Sequence, residues 1–102
     1  MFKVKIIRSI YDGSSFDDSK NMASTTRDIS LPIPPFVGMI VLMPYSEEIE
    51  KIMVNADTQE ISCYLADYYA NEYPNGWEFQ EKIDDDVSSG MTLIFSKPIP
   101  RS

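Results

Sequence analysis

Hydrophobic and polar residues alternate from the start of the chain. In FKVKIIRSIY (residues 2–11), Phe2, Val4 and Ile6 fall on one side and Lys3, Lys5 and Ile7 on the other. That period of two predicts a strand with a solvated, basic face. Residues 12–28, rich in Ser, Asp, Thr and Asn, show no period and predict a long polar loop, mobile by composition. Pro32, Pro34 and Pro35 then fix φ and hold Leu31 and Ile33 extended, so the chain enters a strand rather than a helix. Val37 to Met43 is an almost unbroken apolar run, and it predicts a core strand buried on both faces. Pro32-x-x-Pro35 also has the spacing of a polyproline ligand, but its neighbours are Leu, Ile and Phe rather than bases, which favours a buried connector.

Two patterns fit residues 45–70. As strands, Ile52, Val54 and Ala56 alternate, Asp57 to Glu60 make a turn, and Ile61, Cys63 and Leu65 resume. As helices over 46–56 and 58–70, Ser46 caps one segment, and Asp57-x-x-Glu60 is a capping box for the other. The Ile, Val and Tyr content and the short turn favour the hairpin. Tyr73-Pro74-Asn75-Gly76 has turn chemistry, Trp77 to Gln80 reads as a short strand, and Asp84 to Gly90 as a polar loop. Met91 to Ser96 is a final strand. The expected fold is mostly β: a single small domain over 1–102 with about five short strands, as a partly open barrel or bent antiparallel sheet. The alternative is α+β, with helices in 46–56 and 58–70.

Composition narrows the chemistry. At 102 residues and 43% hydrophobic content the chain is one domain, too apolar for a disordered tail. No apolar run nears the roughly 20 residues of a membrane span, and the charged N-terminus is unlike a secretory signal, so a cytoplasmic protein is expected. There is no histidine, which removes the commonest general base and transition-metal ligand. Cys63 is the single cysteine and reads as a core residue. Four scattered glycines make neither a Walker loop nor a dinucleotide fingerprint. A non-enzymatic protein without cofactor or resident metal is therefore expected. A carboxylate- or cation-dependent enzyme using Asp17 and Asp18, or Asp84 to Asp86, is the alternative.

Charge and aromatics point to a surface. Residues 44–90 hold 12 acids against Lys51 and Lys82, a charge of −10 within a total of −7. Six of the 12 aromatics crowd into 64–79. Rings among carboxylates suit arginine and lysine side chains, through cation–π contacts backed by ion pairs. The expected function is a small acidic protein-binding module, with an inhibitor as one form of it. Its surface, over about residues 64–86, would comprise Tyr68, Tyr69, Glu72, Tyr73, Trp77, Glu78, Asp84, Asp85 and Asp86, facing a basic partner protein. Direct contact with nucleic acid or anionic membrane is disfavoured by like charge. Self-assembly as a homo-oligomer, through an edge strand such as 2–11, is a further expectation.

Overall fold

The computed structural model describes residues 1–72 and 76–100. Strand β1 (Phe2–Tyr11) lies in the middle of a six-stranded sheet, because its alternation gives it one face for the core and its length lets it pair on both sides. On one side is β2 (Asn21–Leu31), antiparallel from Phe2↔Leu31 to Tyr11↔Met22, and beyond it β8 (Thr92–Pro98). On the other side β6 (Ile61–Tyr64) pairs with Val4 to Ile7, and β7 (Tyr68–Tyr69) with Ile10 and Tyr11, both parallel to β1. The edge is β5 (Lys51–Val54), antiparallel to β6. A separate two-stranded ribbon joins β3 (Ile40–Leu42) to β4 (Ser46–Glu48). Among the described residues, one α-helix, α1 (Phe79–Ser88), and a single 3-10 turn at Ala70–Glu72 complete the fold.

The chain is thus a mostly β, single domain whose main sheet is open and not closed into a barrel. Residues 51–64 form the expected hairpin, and no α-helix occupies 46–56 or 58–70. Five expectations need correction. The sheet is mixed rather than antiparallel, since β6 and β7 run parallel to β1. The loop after β1 ends at residue 20. Ser and Thr in 21–31 hid a strand whose inward positions, Ala23 and Thr25, are fully buried. Residues 37–43 are not a two-faced core strand: Val41 turns inward, while Ile40 and Leu42 stay 55% and 74% exposed. β1 is not an edge, so it has no free side for a second copy.

The last correction is α1, where a short strand and an acidic loop were expected. Its start is set by the Glu81 carboxylate, which accepts the Glu78 backbone N–H at 3.2 Å in the return arm of a capping box. Its end is set by Gly90 at φ +101°, a left-handed conformation that side chains rarely adopt. The buried face is Lys82, Ile83 and Asp86, with Phe79 half-buried above them. Two of those four residues are charged, so no apolar stripe marks the helix in the sequence.

The ribbon and α1 cover the same face of the sheet, the one carrying Val4, Ile6, Arg8 and Ile10. Val4 and Ile6 join Leu31, Met39, Met43, Ile49, Cys63, Leu65 and Met91 in the larger apolar cluster. Ile10 and Ala23 pack under Ile83, with Tyr68 and Phe79 around them. Between the two clusters sits Arg8, opposite Thr25 in the β1–β2 register.

Candidate partner-binding surface

Arg8 is 7% exposed, and a buried cation is costly unless paired and hydrogen-bonded. Its Nε donates to Asp86 Oδ2 at 3.0 Å and its Nη2 to Glu47 Oε1 at 2.7 Å. The Thr25 hydroxyl donates to the same Asp86 oxygen at 2.8 Å, and Lys82 Nζ lies 3.3 Å from Asp86 Oδ1. The strand register puts Arg8 beside Thr25. The ribbon brings Glu47, because Val41 and Glu47 share its inward face, and α1 brings Asp86. Every buried side-chain polar atom among the described residues has a partner. Asp86 is therefore removed from the expected binding surface: at 2% exposure it is an internal counter-ion holding the helix to the sheet.

The other members stand around the two ends of α1 and the strand before it. The Tyr68 hydroxyl donates to the Trp77 carbonyl at 2.7 Å, and Lys82 Nζ sits 5.3 Å from the Tyr68 ring centre. Trp77 is 47% exposed, and Glu72, Glu78 and Asp84 are exposed. Asp84 accepts from Gln80 Nε2 at 3.0 Å, and Asp85, half-buried, lies 3.7 Å from Lys82. Tyr73 lies outside the described residues.

The structure adds residues to this surface that were not singled out. Because β7 pairs with the end of β1, Tyr69 stacks on Tyr11 with ring centres 5.1 Å apart, and Phe16 meets Tyr11 edge-on at 5.7 Å. The Asn71 N–H donates to the Gly13 carbonyl at 3.1 Å, which sets the 12–20 loop, with exposed Asp17, beside residues 70–72. No local pattern announces this, since Tyr69 and Asn71 lie 58 positions from Tyr11 and Gly13 and meet them through the parallel pairing of β7 with β1.

Titration follows from these contacts. Burial and the neighbouring Asp67 carboxylate raise the Tyr11 phenol, although a hydrogen bond from Ser9 opposes them. Burial and Asp67 likewise raise the Tyr69 phenol. Asp67 is itself raised, because partial desolvation outweighs the Tyr69 hydroxyl and the Lys51 charge. Burial pushes the Cys63 thiol up, consistent with a core position. In the 12–20 loop, the Ser14 hydroxyl and the Ser14 and Ser15 amides hold Asp18 below its ordinary value. Among the described residues no three carboxylate or thiol side chains come together as a metal ion would need. No family model, curated protein or solved structure matches this chain.

Proposed function

We propose that this chain is a non-enzymatic protein-binding module, and that its surface over residues 67–85 receives a basic protein partner. One observation carries the reading. Lys82 is the only base in residues 65–90, yet it is turned inward to Asp85, Asp86 and the Tyr68 ring. Outside it, Asp67, Glu72, Glu78, Glu81 and Asp84 face solvent, and the Trp77 ring is exposed in the same part of the chain. A cationic partner would pair with these carboxylates and stack an arginine or lysine on Trp77.

The test is calorimetric titration with an arginine-rich peptide, beside a pull-down with the intact chain as bait. Saturable binding that weakens with salt, and is lost in Tyr73→Ala plus Trp77→Ala, is the expected result. Undiminished binding by that folded double variant, or none by the wild type in either assay, overturns the proposal.

A further inference from the structure

The ribbon side of the molecule presents the opposite surface. From Ile29 to Ser46 the chain has no charged residue. Within this stretch Ile33, Phe36, Ile40 and Leu42 line an open apolar groove of about 530 Å³ and are 51–74% exposed. Val37 and Tyr45, in the same uncharged stretch, are 62% and 66% exposed. Large apolar side chains are not normally left in a contiguous exposed group on a monomer. With about 200 Å² for a fully exposed large side chain, the six offer on the order of 700 Å². A standard interface takes about 800 Å² from each partner, so this area is close to what a stable dimer needs.

We infer that this face binds a second copy of the same chain. Charge decides between occupants. In a twofold interface each patch meets itself, so a surface of one sign repels its own copy, whereas an uncharged apolar surface is self-complementary. A chain of net charge −7 has this one long uncharged stretch on which two copies meet without repulsion. The backbone agrees. Ile49 N–H donates to the Met39 carbonyl and Met43 N–H to the Tyr45 carbonyl, so the bonded positions of the ribbon are 39, 41 and 43. Ile40 and Leu42 therefore turn their peptide groups to the other side of β3, where no strand pairs among the described residues. An antiparallel copy of β3 centred on Val41 would place Ile40 opposite Leu42 of the second chain, each pair exchanging N–H···O bonds. Of the nearest acids, Glu47 is turned inward to Arg8; Glu48 is exposed opposite Ile40 on β4, the strand away from the β3 edge, so pairing through β3 leaves the two copies' Glu48 residues on the outer strands.

This inference concerns a different face from the proposed partner surface, so either can fail alone. Sedimentation velocity across a concentration series of the intact chain tests it, with an 11.6 kDa monomer as the reference. A dimer is expected. Leu42→Asp should raise the dimer dissociation constant about 30-fold or more, the size of a hot-spot loss. Its circular dichroism should match the wild type, because the side chain is solvent-exposed in the monomer. Met53→Asp, on the exposed edge strand β5, should dimerise as the wild type does. A wild type that stays monomeric up to about millimolar concentration overturns the inference, whatever other ligand the groove then takes. So does a dimer that Leu42→Asp leaves intact or that Met53→Asp dissolves.

Discussion

The two halves of the covered sheet face reverse the usual placement of residue types. Beneath α1, the arginine, aspartate and lysine of the Arg8 site are buried. On the ribbon, isoleucine, leucine and phenylalanine stand in solvent. The difference lies in what each half has to pack against. Arg8 donates to Asp86 from α1 and to Glu47 from the ribbon, and Thr25 beside it donates to the same Asp86 oxygen, so the cation finds its acceptors within the chain. Ile40 and Leu42 project from the side of a ribbon whose inward residues, Val41 and Glu47, already take the available contact. No further layer covers them within the described chain. One half is closed by charges with partners inside the chain, and the other is left open with apolar groups whose partner lies outside it.

The largest effect should come from breaking the closed half. Arg8→Met leaves the buried Asp86 with only Lys82 and Thr25, and the half-buried Glu47 without its cation. A loss of about 3–5 kcal/mol is expected from removing one partner of a buried pair. Urea denaturation measures it. Combining Arg8→Met with Asp86→Leu should cost clearly less than the two single losses added, because the Arg8–Asp86 pair is then removed whole, with neither of its members left buried without the other. Additive losses would mean that Arg8 acts through packing of its stem alone. Next in size is Ile83→Ala, which opens a cavity over Ile10 and Ala23 at the centre of the smaller cluster. About 2–4 kcal/mol should be lost by the same measurement. A cost below 1 kcal/mol would show that α1 is held chiefly by its charges.

The same contrast explains which parts of the fold were legible. β1, the β5–β6 hairpin and β8 were, since each carries β-branched or aromatic residues in the expected stretch, and the first two alternate cleanly. β2 was not, because its inward residues Ala23, Thr25 and Arg27 are small or polar and mimic a loop. α1 was hidden for a related reason: Lys82 and Asp86 interrupt its buried face, and only the Arg8 site makes that burial affordable. Residues 37–43 failed in the other direction, since apolar composition was read as burial. Of the candidate surface, the clustering around Trp77 and Asp84 was local and readable. The Tyr69–Tyr11–Phe16 stack and the inward turn of Asp86 were not, as both depend on contacts between distant segments.

A smaller effect should come from the 12–20 loop, which closes the sheet end beside the acidic surface. Asp12 accepts the Lys20 and Asn21 amides at 2.8 and 3.0 Å and the Asn21 side chain at 2.8 Å. Burial works against its ionised form, but these donors outweigh it and hold the carboxyl below its ordinary 3.8. The folded state thus favours the anion. Its contribution is complete above the ordinary carboxylate value and is lost as pH falls through the lowered one. Asp12→Ala should cost about 1–2 kcal/mol at neutral pH, and the gap to wild type should close in strong acid. A gap that stays constant on acidification would assign the loss to loop geometry rather than to the charge.

The smallest intrinsic effect should be seen on the open half, and there the concentration dependence carries the information. Leu42→Asp removes an exposed side chain, so the monomer's stability should stay within about 0.5 kcal/mol of wild type in dilute solution. Association adds stability by mass action, because the folded state binds a second copy and the unfolded state does not. The wild-type urea midpoint should therefore climb as protein concentration rises, while that of Leu42→Asp stays flat. The same series on Arg8→Met should show a midpoint low throughout but rising with the wild-type slope, since its ribbon edge is unchanged. A flat wild-type series would mean that the apolar face finds no copy, whereas an Arg8→Met series without slope would mean that the two halves are not separable and the ribbon needs the Arg8–Glu47 bond to present that face.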